Sequence, residues 1–386
     1  MDKTKVEIKT IAEKNRIINR IGEVILEGES FLILGHKDPE TDCIASMVSV
    51  ALLLSNFQKE VTVYLAGPMA AHFTYLLAIC KYRGISVAYG KLPNTAAFTT
   101  IMIVDTAKPE MLTVNSQIDA LLKDDAVRKV EIDHHLGRDA CYSGDEGYCL
   151  VSAACSTCEL IGQLLLKLAG RKDKYGEIEF SRNLILSIIT GIVGDSQIGK
   201  YLTTRREKLY YRIFTELFDK LMGGKAPRGK SLSSMEAVFD VIQNFSVREK
   251  RCFDAFMEMR NTEKTIHYIS IDPSKSAELF EEYGTELIVN VSKAVVDTLA
   301  ETSGKLGLVA YYDAPSLSDF VQFRLRRSSK FLHVDLRSIL AELNIENGGG
   351  HPGAVGFRIL KESVTEINSY VEDMVTRIET LAGSST

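Results

Sequence analysis

The chain has 386 residues, of which 45% are hydrophobic and 25% are charged, with a formal net charge of -5. This length exceeds what one hydrophobic core usually serves, so two domains are expected. The acidic balance argues against a protein that holds long duplex DNA through its overall field, because phosphate binding needs clustered lysine and arginine. The charge balance does not argue against short anionic substrates.

The first thirty residues alternate charged positions with apolar positions at helical spacing. This pattern is typical of neither a signal peptide nor a transit peptide. No apolar run approaches the roughly 20 residues that a membrane span needs. We therefore expect a cytoplasmic protein that does not engage a membrane.

From residue 31 onward, short apolar and β-branched runs alternate with helical patterns. The predicted strands lie at 31–35, 61–65, 100–105 and 129–133. Such alternation predicts a parallel sheet covered by helices. Three of these runs lead into His36, Asp105 and the triplet Asp133-His134-His135. Because ligands bind beyond the carboxyl ends of the strands in an open parallel sheet, we expect these side chains to converge there.

Helical patterns follow the predicted sheet. They lie at 151–168, at 181–193 and, with amphipathic character, at 205–221. The second of them ends in the segment Gly191-Ile-Val-Gly-Asp195. Residues 223–234 then gather Gly, Pro, Ser and Lys, which is the composition of a linker or loop.

A second α/β unit is predicted after this linker. Its strands are expected at 265–271, 306–314 and 319–326, and its helices near 275–299, 334–344 and 362–380. We assign residues 1–222 to the first domain, 223–262 to a linker and connecting helix, and 263–386 to the second domain.

The segment Leu34-Gly-His36-Lys-Asp38-Pro39-Glu40-Thr-Asp42 places one imidazole and three carboxylates within seven positions. Oxygen and imidazole ligands of this kind suit manganese or a similar divalent metal better than calcium or a thiolate-bound zinc. An alternative interpretation is local, with Asp38 as a helix N-cap and Glu40 and Asp42 favouring the positive end of the helix.

Ionisable residues at other predicted element ends favour the metal interpretation. Asp105 and Asp133-His134-His135 follow apolar strands, and Asp195 lies at a helix end. Phosphoester hydrolysis needs neutralised phosphate oxygens and a nucleophile at neutral pH, and two metals about 3.5 to 4 Å apart supply both. One carboxylate usually bridges such a pair.

With these motifs the sequence resembles the DHH phosphoesterases, named for the triplet that stands here at 133–135. The resemblance covers most of residues 30–380. It includes GHKDPETD at 35–42, the strand-end Asp105, the helix start with Ser156, Thr157 and Glu159, and the GIVGD segment.

The resemblance implies two divalent metal ions, most often Mn²⁺, with Mg²⁺ or Co²⁺ as alternatives. It implies one metal held by His36, Glu40 and Asp105, and a second held by Asp42, Asp105, His134 and Asp195. Asp105 would bridge the two. His135 would contact the scissile phosphate or leaving group, and Asp133 would orient an imidazole.

One position departs from the family pattern. The family normally has Asp where this chain has Glu40, and the extra methylene moves the carboxylate by about one C–C bond length. The sequence leaves open whether this change weakens activity or alters the metal preference.

The predicted second domain carries a glycine-rich segment, Asn347-Gly-Gly349-Gly350-His351-Pro-Gly. Glycine permits positive φ and exposes amide donors, which suits a phosphate or carboxylate, although a tight helix-to-strand connection is the alternative. The segment resembles the signature of the DHHA1 domain. The resemblance implies substrate binding by Gly349, Gly350, His351 and Arg326, whose guanidinium can grip phosphate in a bidentate way.

The expected protein is therefore an α/β phosphoesterase with an N-terminal parallel-sheet DHH domain flanked by helices and a smaller C-terminal α/β DHHA1 domain. It is similar to the NrnA-like oligoribonucleases and pAp phosphatases, which implies short oligonucleotides, dinucleotides or pAp-type nucleotides as substrates. Two alternatives stay open: a hydrolase of pyrophosphate or polyphosphate, and a nucleotide-binding regulator built on a degenerate enzyme. A homodimer also stays open.

Seven cysteines are present, and four of them fall close together, at Cys141, Cys149, Cys155 and Cys158. Their spacing fits no standard zinc pattern, and an odd number in a chain with no export signal argues against a disulfide framework. Reduced, mostly buried thiols are the favoured interpretation.

Overall fold

The computed structural model describes residues 3–67, 69, 73–93, 97–112, 115–137, 139–199, 201–222, 237–238, 247–314 and 318–383. The chain divides into two compact units, one formed by residues 1–136 and 140–244 and the other by residues 137–139 and 245–386. The predicted linker at 223–234 lies outside the described residues. The domain boundaries assigned from the sequence remain predictions.

The first unit is built on a six-stranded sheet in which every neighbouring pair is parallel. Its strands are β1 (Ser30–Leu34), β2 (Glu60–Leu65), β3 (Ser86–Tyr89), β4 (Thr100–Val104), β5 (Arg128–Asp133) and β6 (Cys149–Val151). The order across the sheet is β3-β2-β1-β4-β5-β6. The strand order reverses between β1 and β4, which remain parallel, and this is the point where open α/β sheets bind their ligands.

Helices cover both faces of this sheet. They are α1 (Ile11–Glu27), α2 (Thr41–Asn56), α3 (Thr74–Tyr82), α4 (Ser116–Lys123), α5 (Thr157–Ala169), α6 (Lys172–Tyr175), α7 (Arg182–Ser196) and α8 (Arg205–Met222). Helices α2, α5 and α7 share the larger core, and α2 is buried continuously from Asp42 to Leu54. On the opposite face, Ile118 of α4 packs with Leu32 and Ile101 of the sheet. This confirms the predicted parallel α/β architecture.

The four predicted strands of the first unit are all present, whereas two short edge strands, β3 and β6, were missed. The helix predicted at 151–168 starts later, at Thr157, because Cys149–Val151 pairs with β5 and the side chain of Ser156 caps α5 by accepting from the N–H of Glu159. Edge strands of three or four residues carry too few apolar positions for a periodic signal.

The second unit is built on a five-stranded mixed sheet. Its strands are β7 (Ile266–Ser270), β8 (Leu306–Tyr312), β9 (Phe320–Arg327), β10 (Gly348–His351) and β11 (Ala354–Leu360), in the order β10-β11-β9-β8-β7. Only β7 and β8 are parallel among these neighbouring pairs. This is the smaller α/β unit that the sequence predicts.

Within the described residues of this unit, five helices accompany the second sheet. They are α9 (Val247–Glu258), α10 (Pro273–Tyr283), α11 (Thr285–Ser303), α12 (Leu336–Glu342) and α13 (Ile367–Gly383). One core forms against α12 and α13, and another against α9, α10 and α11. The single helix predicted near 275–299 is two helices, because Gly284 takes a φ of 80° between them.

Candidate metal centre

The carboxyl ends of three neighbouring strands bring the predicted ligands together. His36 follows β1, Asp105 follows β4, and His134 follows β5. The N–H of Asp105 donates to the carbonyl oxygen of Ile132 at 3.1 Å, and Asp105 adopts a φ of 50°. A non-glycine residue in this left-handed region is uncommon and is found where surrounding structure holds it in place. The strand end therefore turns sharply at the residue expected to bridge two metals.

His134 lies at the centre of a group of carboxylates. Its Nε2 is 3.4 Å from Oδ1 of Asp105, 3.6 Å from Oδ2 of Asp195 and 3.9 Å from Oδ2 of Asp42. The Nε2 of His36 is 3.9 Å from the other oxygen, Oδ2, of Asp105. Five of the six predicted metal ligands thus converge, from four loops and helix ends that are distant in sequence.

Glu40 lies outside the group formed by the other predicted ligands. It occupies the N-cap position of α2, is half-buried, and its side chain makes no capping bond. Within the described part of this unit, two sets of three ligand atoms lie within 4.8 Å of one another, namely His36-Cys43-Asp105 and Asp105-His134-His135. Glu40 belongs to neither set, although its charge helps to raise the pKa of Asp195. The local alternative of Asp38 as the N-cap is wrong, because the helix begins at Thr41.

The N-terminus of α5 holds two of these carboxylates. The N–H of Thr157 donates to Oδ2 of Asp42 at 2.6 Å, and the N–H of Cys158 donates to Oδ1 of Asp42 at 3.1 Å. The hydroxyl of Thr157 donates to Oδ1 of Asp105 at 2.8 Å. Free N–H groups and the dipole at a helix start favour a carboxylate. The backbone of α7 comes close here, because a Cβ on Gly191 would collide with Asp42 and Cys158.

The acidic members of the cluster repel one another in this buried setting. Burial and the charge of Asp105 raise the pKa of Asp42 to about 7. Burial and the charge of Asp42 raise the pKa of Asp195 well above its usual value. For Asp105, burial is outweighed by His134, His135 and His36, which hold its pKa below the usual range. A site that gathers carboxylates and imidazoles in this buried setting fits a divalent cation of the oxygen- and nitrogen-binding class.

The triplet residues have different surroundings. Nδ1 of His134 is 3.3 Å from the carbonyl oxygen of Ala154, which leaves Nε2 facing the carboxylates. Nδ1 of His135 is 2.8 Å from Oδ1 of Asp133, and the ring of His135 is the more exposed of the two, with 32% of its side-chain surface accessible. Although burial opposes it, the charges of His135 and Lys5 hold the pKa of Asp133 at about 2. Asp133 is therefore an anion in direct contact with His135.

The predicted substrate-binding residues lie in the second unit. Arg326 is on β9 and pairs in register with Ala354 of β11, and its Nε is 3.2 Å from Oδ1 of Asp297 on α11. Gly350 and His351 are on β10, so the glycine-rich segment forms a β-hairpin with β11. The glycine-rich segment is therefore a paired strand, and not the helix-to-strand connection that was the alternative interpretation.

Three side chains that contact the cluster were not assigned roles from the sequence. Thr157 was noted only as part of a family motif, Cys43 lies beside Asp42, and Lys5 comes from the N-terminal segment and contacts Asp133. Thr157 is a hydroxyl residue at the start of a helix, within a segment that already resembles a family motif. That position could have indicated that its hydroxyl contacts a carboxylate of the site. No local pattern marks Lys5.

Comparison with known proteins identifies a family match and similar proteins. Residues 30–192 match the model of the DHH family, N-terminal domain. The cyclic-di-AMP phosphodiesterase PdeA of Listeria monocytogenes serotype 1/2a (strain 10403S) is 26% identical over 198 residues, which make up 50% of this chain and 28% of that protein. The chain therefore matches less than a third of the length of this relative.

Solved structures similar over nearly the whole chain include the following example. It is the crystal structure of an exopolyphosphatase-related protein from Bacteroides fragilis, with a TM-score of 0.61 and 17% sequence identity, covering 99% of each chain. At this identity the similarity shows a shared fold. Among the described residues, no helix combines the length and the apolar character that crossing a bilayer requires.

Proposed function

We propose that this chain, whose residues 30–192 form a DHH family N-terminal domain, is a divalent-metal-dependent phosphoesterase that hydrolyses short oligonucleotides, dinucleotides or pAp-type nucleotides. One observation carries the proposal: His36, Asp42, Asp105, His134 and Asp195 meet at the carboxyl ends of β1, β4 and β5. Buried ionisable groups are costly unless they are paired or coordinate a metal, and His36, Asp42, Asp105 and His134 are all buried here.

The proposed ligand sets follow from how the donors are distributed. Asp105 offers Oδ2 toward His36 and Oδ1 toward His134, so it is the residue suited to bridging two metals. His36 and Glu40 would complete one set, and Asp42, His134 and Asp195 the other. Bound divalent metals would supply charge neutralisation on phosphate oxygens and a nucleophile at neutral pH. Mn²⁺ is the expected ion, because borderline-hard metals accept this mixture of oxygen and imidazole ligands.

His135 is proposed to face the phosphate or the leaving group. Its Nδ1 contacts Asp133, and we propose that Nε2 is the ring nitrogen that meets the substrate. Burial lowers the pKa of His135, but the charge and hydrogen bond of Asp133 outweigh burial and raise it. A cationic ring can donate a hydrogen bond to an anionic oxygen or a proton to a departing one.

Nucleotides are the proposed substrates, with two kinds of support. The Listeria relative is a cyclic-di-AMP phosphodiesterase, and its similarity covers half of this chain. The second unit carries Arg326, Gly349, Gly350 and His351, a set of donors suited to a phosphate or carboxylate group. We propose these four residues as the substrate-binding group.

The proposal is tested by measuring Mn²⁺-dependent phosphate or nucleotide release from pAp, a short RNA, a linear dinucleotide, cyclic dinucleotides and pyrophosphate. Release from one or more nucleotides is expected, with activity lost in Asp105→Ala and His134→Ala. Asp125→Ala, at an exposed position before β5, is the matched control and should retain full activity.

The two alternatives give different results in the same assay. Hydrolysis of pyrophosphate but of no nucleotide would identify a hydrolase of pyrophosphate or polyphosphate. Metal binding and nucleotide binding without turnover of any substrate would identify a nucleotide-binding regulator. Either outcome would overturn the proposed function.

A further inference from the structure

The N-terminal segment of the first unit places one lysine beneath the triplet. The side chains of Lys5, Glu131 and Asp133 are all fully buried, with 0% of their surface exposed. Lys5 Nζ is 2.6 Å from Oδ2 of Asp133, 2.7 Å from Oε1 of Glu131 and 2.6 Å from the carbonyl oxygen of Thr106. A lysine ammonium has three N–H donors, and three acceptors surround this one.

These contacts join the ends of two strands that carry the proposed site. Thr106 follows Asp105 at the end of β4, and Glu131 and Asp133 belong to β5. One ammonium thus ties the turn that holds Asp105 to the strand that leads into His134. Buried charges are costly unless they are paired, so this lysine is held by its acceptors and in turn fixes them.

Asp133 is shared between the lysine and the proposed substrate-facing histidine. Its Oδ2 accepts from Lys5, whereas its Oδ1 lies 2.8 Å from Nδ1 of His135. With one oxygen occupied by the ammonium, the carboxylate cannot rotate without breaking a buried ion pair. The orientation of the His135 ring therefore depends on the position of Lys5.

The backbone of the N-terminal segment is fixed independently of this side chain. The N–H of Lys5 donates to the carbonyl oxygen of Ala140 at 2.8 Å, and the N–H of Tyr142 donates to the carbonyl oxygen of Lys3 at 3.0 Å. The hydroxyl of Tyr142 lies 3.1 Å from both the N–H and the carbonyl oxygen of Val6. These bonds form a short antiparallel contact between the residues around Thr4 and Cys141.

We propose that Lys5 is a positioning residue for the phosphoesterase reaction, acting through Asp133 to set the orientation of His135 and through Thr106 to hold the turn at Asp105. This inference rests on the proposed function. Lys5 itself touches neither the metal ligands nor the substrate in this role. The charged N-terminal segment, 128 residues from Asp133, is then part of the site.

The experiment compares Lys5→Met, which keeps the length and removes the charge, with Lys5→Arg, which keeps the charge and changes the donor geometry. Lys3→Met is the matched control, because Lys3 pairs with Glu146 at an exposed position. We expect Lys5→Met to lower kcat by about 10- to 100-fold, the usual effect of losing a partner that orients an active-site group. KM should change by less than about threefold, because ground-state substrate binding is not involved.

A double-mutant cycle separates positioning from general destabilisation. In an Asp133→Asn background, Lys5→Met should lower kcat by a clearly smaller factor than in the unaltered protein, because the connection through Asp133 is already broken and only the contact with Thr106 is left to lose. An equal loss of kcat in both backgrounds, or a folded Lys5→Met protein with unchanged kcat, would overturn the inference. If Lys5→Met does not fold, the same cycle is run with Lys5→Arg.

A second measurement does not depend on activity. NMR spectra of the ¹⁵N-labelled histidine rings report which ring nitrogen carries a proton, with the His135 signals identified from their loss in His135→Gln. Lys5→Met should shift these signals, and Lys3→Met should leave them in place. Unchanged His135 signals in Lys5→Met would overturn the positioning role. A protein that shifts these signals but hydrolyses no nucleotide would contradict the proposed function and leave the positioning role supported.

Discussion

The hydroxyl of Thr157 donates a hydrogen bond of 2.8 Å to Oδ1 of Asp105, although 52 residues separate them. The same residue donates its backbone N–H to Oδ2 of Asp42 at 2.6 Å. One residue at the start of α5 therefore orients two carboxylates of the proposed metal centre. Its backbone contribution cannot be removed by substitution, but its hydroxyl can.

Thr157→Val removes this hydroxyl and keeps the shape of the side chain. We expect Mn²⁺ affinity, measured by calorimetry, to fall by about tenfold because Asp105 loses an orienting partner. Thr157→Ser should retain most of the affinity, since it keeps a donor. Equal affinities for Thr157→Val and the unaltered protein would show that Asp105 is oriented without this bond.

Glu40→Asp restores the residue that DHH phosphoesterases normally have at this position. If the longer side chain disfavours one metal position, the shorter one should tighten binding of the second Mn²⁺ by up to about tenfold and raise activity at limiting metal. Glu110→Asp, at an exposed position, is the control for shortening an acidic side chain. A decrease in metal affinity would mean that the chain has adapted to glutamate.

Metal binding should strengthen with pH across neutrality. Asp42 has a pKa raised from 3.8 to about 7 without metal, so the folded protein binds more protons at Asp42 than the unfolded chain between these values. In the metal-free protein this contribution to stability is present at low pH and is lost as pH rises through about 7. Divalent metal must displace the proton, so apparent Mn²⁺ affinity should be about tenfold higher at pH 8 than at pH 6.

Thermal unfolding with and without Mn²⁺ at these two pH values measures this effect directly. The rise in Tm produced by metal should be larger at pH 8, because stabilisation by a ligand follows its affinity for the folded state. A Tm increase that is the same at both pH values would show that Asp42 is already ionised at pH 6.

Cys43 gives the cluster a potential soft ligand. A ligand set of Cys43, His36 and Asp105 lies within 4.8 Å, and burial raises the pKa of the thiol, so it is neutral at physiological pH. A thiophilic metal can displace this proton, whereas manganese has little preference for sulfur. Cd²⁺ should inhibit the protein and produce an ultraviolet thiolate charge-transfer band.

Cys43→Ala should remove that band and weaken Cd²⁺ inhibition by about tenfold while leaving Mn²⁺ activity largely intact. Cys80→Ala removes another buried thiol of the same unit, one on α3, and serves as the control. Retention of the band in Cys43→Ala would assign Cd²⁺ to another site.

Gly350→Ala should destabilise the second unit. Gly350 has a φ of 139°, and a Cβ at this position would collide with the carbonyl oxygen of Ala354 on the paired strand. We expect the free energy of unfolding to fall by about 2 kcal/mol or more, measured by urea denaturation. Gly356→Ala, where the nearest atom is 3.8 Å from the added Cβ, is the control and should cost less. Equal losses would indicate that close packing at Gly350 relaxes freely.

Much of the candidate site could be predicted from local sequence patterns. Apolar, β-branched runs predicted β1, β4 and β5, and ionisable residues directly after them predicted that His36, Asp105 and His134 lie together. The prediction succeeds because the carboxyl ends of parallel strands share one edge of the sheet. Predicting the convergence of Asp42 and Asp195 required the family resemblance as well, since helix positions alone do not say which strand end they face.

Local patterns were insufficient where a short segment takes its conformation from its partner. Strands β3 and β6 are four and three residues long, and β6 exists because Cys149–Val151 pairs with β5. The break at Gly284 was missed because the apolar pattern continues across it and only the backbone turns.

By itself the sequence determined the two-part α/β organisation and most of the side chains that converge at the candidate site, because these follow from periodicity and from residue types at element ends. Only the tertiary structure decided which groups orient those ligands. Thr157 and Cys43 reach the cluster, and Lys5 reaches Asp133, because α5, α2 and the N-terminal segment pack at this edge of the sheet. Contacts between residues 50 to 130 positions apart depend on how whole elements pack, and no local spacing in the chain encodes that.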